Sequence, residues 1–493
     1  MYHFKKVIMK NNITKSIIVF ILIFSIQSCD DYLDILPPGK ENSENYFNTP
    51  EDYNAALIGV YDLLSTTYLN NMLGEIASDN SLCGGGDATD VLDWQQIDDM
   101  THNPDNGALR SVFQWMYAGI SRANYIVEFQ DKIDFDNKAQ ILAENLFLRS
   151  YYYFELVKFF GDVPLYTNGR IDIEETQTIS RTPKAEVYAQ IEQDLLSAID
   201  NLPWTQSQGG RATKGAALAL LGKIYLYQEK FTKSAAALNQ VINSGEYQLV
   251  QDFGTIFLNG NENNSESVFE VQYFGSEGGG FGCFQCIEGN VAVGFMGPRF
   301  NGGNYAPYTD GFSFNIPVQS LVDSYEAGDT RLAATVFDID TFVATHPGVT
   351  YSPGNEHTGF FNLKYIPYAE ANAQDVHITH SNNYRAIRYS DVLLMAAEAN
   401  FRAPSQLADP QLFLDAVRDR AFGNTNHRIT ATLDAILNER KLELAGEGHR
   451  FFDQVRTGQT SSIPGFSDKN KLFPIPRIEI ELAGNQWDQN PGY

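Results

Sequence analysis

A dense set of charged side chains near the C-terminus has residue types and spacing that could support acid–base chemistry. Its members lie mostly three or four positions apart: Glu439, Arg440, Glu443, Glu447, Arg450 and Asp453. Two carboxylates roughly 5–10 Å apart in a cleft would suit glycoside hydrolysis. Charges at this spacing are neighbours on a helix, however, and opposite charges there usually form ion pairs. We therefore predict that the cluster is scaffold and that the protein is not an enzyme, with a glycoside hydrolase as the less favoured alternative.

A second set of residues has the chemistry of a sugar-binding site, which combines flat apolar faces with a few planar polar groups. Trp94 is the strongest candidate, because it follows Asp79 in a Gly- and Asp-rich segment where a core role is harder to explain than for Trp115 on its helical stripe. We predict that Asp79 and Trp94 contact ligand. The later Gly-rich segment adds six candidates: Phe281, Phe284, Arg299, Asn304, Tyr305 and Tyr308. For each of these residues, packing of the loop against the body is the alternative.

Two further motifs could hold a metal or a redox centre. The run 84–87 with Asp90 and Asp93 offers several oxygens to Ca²⁺, but it lacks the terminal glutamate of a twelve-residue calcium loop. We predict a solvated acidic loop and no cofactor, with structural calcium as the alternative. Cys283 and Cys286 form a lone CxxC without a second pair, so zinc is not expected. A loop disulfide or two inert thiols is predicted, and the odd cysteine count after residue 29 leaves one thiol free.

Helical periodicity surrounds these candidates and must position them. Residues 49–52 (TPED) combine an N-cap, a first-turn proline and acidic residues, which predicts a helix start. Residues 213–243 predict two helices with a turn near Glu229, at the spacing of a tetratricopeptide unit. Gly222 would let the two helices approach closely. We predict a mainly α fold, in which a tetratricopeptide-like helical-repeat scaffold spans about 45–250 and 386–450.

The segment 251–385 differs from the scaffold, because strand-like runs such as 267–274 alternate with Gly-rich turns. Long loops on a rigid scaffold are often functional, so we expect this irregular loop and short-strand insertion to form the ligand face. The tail, 460–493, is predicted to be extended. Scaffold, insertion and tail together are expected to form a single domain, 29–493.

Charge limits the partners that the chain can have. Lys and Arg number 35 against 61 Asp and Glu, a formal net charge of −26. A field of this sign repels phosphate backbones and anionic lipid, which disfavours nucleic-acid binding. Charged residues make up only 19% and aromatic residues 13% of the chain. This composition is that of a folded protein and not of a disordered one.

The N-terminus has the pattern of a bacterial lipoprotein signal. Four lysines precede an apolar run at 16–26, which is too short to span a bilayer but is the right length for a signal peptide. Cys29 directly follows the small residue Ser28, as in a lipobox. We predict that 1–28 is removed and that Cys29 is lipidated, which would anchor the protein to a membrane. An ordinary secretory signal is the alternative.

Motifs spread over the whole mature chain resemble those of the SusD/RagB family, in the same order. They are residues 29–34, Trp115 to Asn124, Arg149, 161–164, 388–391, 396–399, 436–450, Asp453, 456–458, 473–476 and 490–493. Each motif is modest alone, and together they are specific.

The resemblance implies an α-helical outer-membrane lipoprotein, exposed at the cell surface, that captures oligosaccharide or polysaccharide. It also implies a partner, a SusC-like TonB-dependent transporter over which the protein acts as a lid. Some branches of the family bind peptides, so a peptide-binding or purely transporter-interacting lid is the alternative function. The family's ligand contacts come from variable loops, including one near the position of Trp94.

Overall fold

The computed structural model describes residues 46–171, 173–278, 280–370 and 373–493. The predicted signal peptide and Cys29 lie outside the described residues. The chain divides into two compact units, Met1–Asn48 and Thr49–Tyr493, and all that follows concerns the second unit. Within the described ranges, no helix reaches the combination of length and apolar character that a bilayer span requires.

Helices dominate the second unit, which confirms the mainly α fold class. In chain order they are α1 (Pro50–Asp62), α2 (Tyr68–Ile76), α3 (Leu92–Asp98), α4 (Gly107–Glu128), α5 (Lys138–Phe160), α6 (Ile173–Thr176), α7 (Lys184–Asn201), α8 (Lys214–Tyr227), α9 (Phe231–Ser244), α10 (Val291–Met296), α11 (Gln319–Val322), α12 (Leu332–Thr335), α13 (Ile339–Thr345), α14 (Tyr389–Arg402), α15 (Pro410–Phe422), α16 (Leu433–Glu443), α17 (Arg450–Thr457) and α18 (Arg477–Leu482).

The strands are short, and the described ones pair two by two in antiparallel ladders. They are β1 (Ser81–Gly84), β2 (Val163–Pro164), β3 (Arg181–Thr182), β4 (Ser267–Val271), β5 (Arg299–Gly302), β6 (Phe314–Pro317), β7 (Val336–Asp338), β8 (Thr350–Ser352), β9 (Phe360–Asn362) and β10 (Tyr384–Arg388). The pairs are β1–β6, β2–β3, β4–β10, β5–β8 and β7–β9. All but β2–β3 involve the irregular segment between α9 and α14.

Local signals in the sequence set several helix ends, and the starts of α1 and α8 were predicted. The Thr49 hydroxyl accepts the Asp52 N–H, and the Asp52 carboxylate accepts the Thr49 N–H at 2.9 Å, so a capping box starts α1. Thr213 starts α8 in a similar way by accepting the Ala216 N–H at 3.1 Å. Gly161, at φ +73°, ends α5 with a backbone conformation that a side chain would disfavour.

The long helices form a continuous stack, each packed on the next. The order of contact is α1, α4, α5, α7, α8, α9, α14 and then α15 and α16. Between α8 and α9, a Cβ on Gly222 would lie 2.5 Å from Leu238 Cγ, so only glycine allows this approach. The predicted tetratricopeptide-like scaffold is confirmed, and α9 meets α14 although the whole insertion separates them in sequence.

The insertion is joined to the scaffold by a strand pair and a buried ionic junction. Strands β4 and β10 pair with Tyr384 opposite Val271, and both pack on α8. Beside them, Glu443 of α16 binds Arg388 at 3.0 Å, Arg331 at 3.1 Å and Arg420 at 2.5 Å, with every side chain almost fully buried. Burial would raise the pKa of Glu443, but these three guanidinium groups hold it well below its usual range.

The C-terminal charge cluster therefore forms ion pairs, as predicted, but mainly with distant partners. Glu439 binds Arg418 at 2.8 Å and Glu447 binds Lys364 at 2.7 Å, in both cases across segments. Helix α16 ends at Glu443, so Glu447 does not continue its face. Asp453 does pair with its helical neighbour Arg456 at 2.7 Å. The buried glutamates instead bind cations of other segments, Lys364 in the insertion and Arg418 on α15, because they lie where these segments pack together.

Candidate ligand-binding site

The loop after β1 is held in place by backbone contacts that require glycine. Gly84 has φ +77°, and a Cβ there would lie 2.2 Å from the Ser313 carbonyl oxygen. The Gly85 N–H donates to the same Ser313 oxygen at 2.8 Å, and the Gly85 carbonyl accepts the Asn355 N–H at 2.8 Å. The loop is thus clamped between β6 and the segment that follows β8, which fixes the position of Asp90.

An ion pair open to solvent joins this loop to the insertion. The Arg299 Nη2 donates to Asp90 Oδ2 at 2.8 Å, and the Gly86 N–H donates to the same oxygen at 2.7 Å. The two side chains are 27% and 33% exposed. The guanidinium of Arg299 lies 5.7 Å from the centre of the Phe312 ring. Two planar polar groups therefore sit beside an aromatic ring at the surface.

Aromatic rings extend from Phe312 across the same surface. The ring of Phe312 is 6.1 Å from Phe281, which is 54% exposed, and 5.6 Å from the ring of His377. His377 Nδ1 in turn lies 3.6 Å from Asp310 Oδ2. We call the surface formed by Asp90, Phe281, Arg299, Phe312 and His377 the ligand face. Its apolar rings suit the C–H side of a pyranose, and its charged groups can bind hydroxyls.

A disulfide between Cys283 and Cys286 closes the loop next to Phe281, whereas Cys83 is a buried free thiol. This outcome agrees with the first of the two alternatives, a loop disulfide. Phe284, inside the closed loop, packs edge-on against Phe281 at 6.0 Å. The disulfide thus supports the aromatic end of the ligand face.

Trp94 does not lie in a loop, so the predicted loop placement was wrong. It belongs to the short helix α3 and is only 6% exposed, packed 5.0 Å from Phe295 and 5.2 Å from Phe314. The Gly- and Asp-rich composition of the segment hid a helix that begins directly after Val91, whose φ is +48°. Phe295 also contacts Phe312 at 5.3 Å, so Trp94 supports the ligand face from below.

Asn304, Tyr305 and Tyr308 are not brought to the ligand face. Tyr305 stacks on Phe300 at 4.5 Å with nearly parallel rings, and Tyr308 packs 5.1 Å from Phe337. The exposed Asn304 caps its own turn by accepting the Ala306 N–H at 3.2 Å. Side chains alternate along a strand, so Arg299 and Phe300, neighbours on β5, point to opposite faces. The sequence could not show which face carries ligand.

Asp79 belongs to the scaffold. Its two oxygens accept from Arg450 Nε at 2.7 Å and Nη2 at 2.9 Å, and Oδ2 also accepts the Ser462 hydroxyl at 2.7 Å. Partial burial would raise its pKa, but these hydrogen bonds lower it. With both oxygens bound in this way, Asp79 ties β1 to the C-terminal segment and does not lie with the ligand face.

Among the described residues, no group of three or more His, Cys, Asp or Glu side chains is arranged to hold a metal ion. The acidic loop instead uses its oxygens internally, since Asp87 accepts both the N–H and the hydroxyl of Thr89, at 2.7 and 2.6 Å. Asp90, considered only as a calcium ligand from sequence, is committed to Arg299.

Sequence reasoning missed three members of the ligand face as ligand contacts: Asp90, Phe312 and His377. Phe312 follows a glycine in the insertion, a signal of the same kind that selected Phe281. His377 carried no such signal, because its position depends on the distant packing of its segment against Phe312.

Comparisons with known proteins agree with this fold. A family model described as starch-binding associating with outer membrane matches residues 31–226, and the model of the SusD family matches residues 265–470. SusD-like protein P2 of Formosa agariphila is 28% identical over 514 residues, covering 96% of this chain and 98% of that protein.

Solved structures are similar over nearly the whole chain. A laminarin binding SusD-like protein has 35% identity and a TM-score of 0.81, covering 90% of this chain and 100% of that chain. Surface glycan-binding protein A from Bacteroides thetaiotaomicron, in complex with laminarihexaose, has 26% identity and a TM-score of 0.80, covering 90% of this chain and 99% of that chain.

Proposed function

The chain belongs to the SusD family, and on that premise we propose that it captures oligosaccharide or polysaccharide at the bacterial cell surface. The observation that carries this proposal is the ligand face, where the exposed ring of Phe281 and the partly buried ring of Phe312 adjoin the Arg299–Asp90 pair. Since a 35% identical structure is that of a laminarin-binding protein, laminarin-type glycans are the first ligand class to test.

The ligand face is suited to binding a sugar chain without cleaving it. Asp90 accepts hydrogen bonds from both Arg299 and Gly86 on one oxygen, so that oxygen is occupied by protein donors. The carboxylates of the buried junction, such as Glu443, are occupied by guanidinium groups away from solvent. These contacts support a role in capture, and glycoside hydrolysis is not part of the proposal.

Anchoring and delivery complete the proposed role. We infer that acylated Cys29 holds the protein in the outer membrane and that captured glycan passes to a SusC-like TonB-dependent transporter. The lipobox at Ser28-Cys29 and the match to a family model described as associating with outer membrane support this inference. A Cys29→Ala variant is expected to leave the membrane fraction, and its full retention there would refute lipidation as the anchor.

The direct test measures glycan binding by the soluble protein, residues 30–493. Retardation on native gels containing laminarin or other polysaccharides identifies the ligand class, and calorimetry with laminarihexaose then gives affinity. Arg299→Ala should weaken binding about tenfold or more, because a charged hydrogen-bonding partner is lost. The matched control is Arg170→Ala, since Arg170 pairs with Glu128 at 2.8 Å on the scaffold, away from the ligand face. Equal affinities of the two variants would refute the site, and peptide binding without glycan binding would refute the function.

A further inference from the structure

A second aromatic surface lies on the scaffold, beside α4 and the C-terminal tail. It is an open groove of about 1080 Å³. Two of the chain's four tryptophans line it, with two tyrosines and three polar side chains at its edge: Trp115, Trp487, Tyr117, Tyr166, Gln114, Gln285 and Glu479. None of these residues belongs to the ligand face, and the proposed function does not use them.

Hydrogen bonds to the backbone hold the polar atoms of two groove rings, so these rings contribute apolar surface to the groove. The Tyr117 hydroxyl donates to the Pro164 carbonyl at 2.7 Å, and the Trp487 indole N–H donates to the Ile179 carbonyl at 2.7 Å. Tyr166 stacks on Tyr117 with ring centres 5.9 Å apart and planes 10° apart. Trp115 is only partly buried. Rigid flat surfaces of this kind are what the C–H face of a sugar ring packs against.

The edge of the groove is polar and carries little net charge. Glu479 accepts from Arg110 at 3.0 Å and from the Gln114 amide at 2.8 Å, which balances its charge and orders the amide. The exposed amide of Gln285 makes no hydrogen bond within the described part of the chain. A neutral ligand with many hydroxyls fits this edge, because it can use the free amide without bringing charge.

The groove is continuous with the ligand face through the disulfide loop. Phe284 lies against Phe281 and Phe295, whereas its neighbour Gln285 lines the groove. The turn Phe284–Cys286 packs on the turn Leu63–Thr67, and Tyr68, directly after it, contacts Trp115 at 6.3 Å. One loop thus presents consecutive side chains to both surfaces.

We propose that the groove is a second saccharide-binding site, which extends the ligand face so that one polysaccharide chain occupies both. The inference rests on the proposed function, because it assigns the groove a glycan ligand. A long chain gains contacts from both surfaces, whereas a short oligosaccharide fits in the ligand face alone. Chain length therefore separates the two sites.

The test compares laminarin, or whichever polysaccharide retards the wild-type protein most, with the trisaccharide of the same glycan. Trp115→Ala should weaken polysaccharide binding about three- to tenfold, the effect of one lost ring contact, and leave trisaccharide affinity unchanged. Gln285→Ala, at an exposed position whose amide makes no hydrogen bond within the described residues, should act in the same direction. Trp204→Ala is the matched control, since Trp204 is a partly buried tryptophan that lines a different groove.

Three outcomes would overturn the proposal. If Trp115→Ala and Gln285→Ala bind polysaccharide as the control does, the groove takes no glycan although the proposed function stands. If Trp115→Ala weakens both ligands equally, its effect is structural, and wild-type behaviour of Gln285→Ala then refutes the site. If the wild-type protein binds no polysaccharide, the proposed function fails first and the groove proposal with it.

Discussion

Alanine substitution of two aromatic residues near the same surface should reduce stability at one position and glycan affinity at the other. Trp94 is 6% exposed between Phe295 and Phe314, whereas Phe281 is 54% exposed on the ligand face. Trp94→Ala would leave a cavity under the face, and Phe281→Ala would remove a surface that ligand touches. The first substitution is therefore predicted to reduce stability and the second to reduce glycan affinity.

The magnitudes follow from burial. Truncating a buried tryptophan costs about 3–5 kcal/mol of unfolding free energy, because the lost transfer free energy adds to the cavity left behind. Removing a half-exposed phenylalanine should change stability by no more than about 0.5 kcal/mol. The loss of its stacking contact, worth about 0.5–1.5 kcal/mol, should weaken glycan binding by up to about tenfold.

Guanidinium denaturation of each variant, extrapolated linearly to water, gives the stability change, and calorimetry with the best-bound oligosaccharide gives the affinity change. Affinity is measured at a temperature where Trp94→Ala is fully folded. The reasoning is refuted if Trp94→Ala keeps wild-type stability but loses binding, because Trp94 would then itself contact the ligand.

Three predictions concern the scaffold. Burial raises the pKa of Glu75 from the usual 4.5 to about 7, so between these pH values the folded state retains a proton that the unfolded state has released. About 3 kcal/mol of stability should therefore be lost progressively as pH rises from about 4.5 to about 7. A stability difference between wild type and Glu75→Gln that stays constant from pH 5 to 8 would contradict this. Gly222→Leu should lower the free energy of unfolding by about 1–3 kcal/mol or more, since its Cβ would lie 2.5 Å from Leu238. An unchanged denaturation midpoint would show that the α8–α9 contact adjusts freely. Arg388→Met should lower the free energy of unfolding by about 3–5 kcal/mol, because it leaves buried carboxylates without a partner. Arg170→Met, at an exposed ion pair, should lower it by at most about 1 kcal/mol. Equal losses of stability in the two variants would argue against the buried junction.

Features encoded by adjacent residues were predictable from the sequence, whereas features set by distant contacts were not. The start of α1 at the Thr49 cap and the α8–α9 unit both followed from local patterns. The pairing of Ser81 with Pro317 joins positions more than two hundred residues apart, and no local pattern carries that register. The partners of the C-terminal charge cluster could not be predicted for the same reason, because they are distant in sequence.

The candidate site shows the same limit. Composition selected the Gly-rich segment containing Phe281 and Arg299, and both residues do lie on the ligand face. Composition also suggested a loop around Trp94, where burial against Phe295 decided otherwise. Phe300 and Arg299 differ only by the alternation of a strand, and only the β5–β8 pairing shows which side is covered.

The contact between α9 and α14 has a consequence for biosynthesis. Helix α9 ends at Ser244 and α14 begins at Tyr389, so the surface of α9 that packs on α14 has no cover until the ribosome has finished the whole insertion. A nascent chain that ends between α9 and α14 exposes the apolar surface of α9 that α14 would cover. Such a surface is a target for chaperones and proteases during export. Conversely, an insertion transplanted from a relative must satisfy one geometric requirement: its end must lie where α14 can pack against α9.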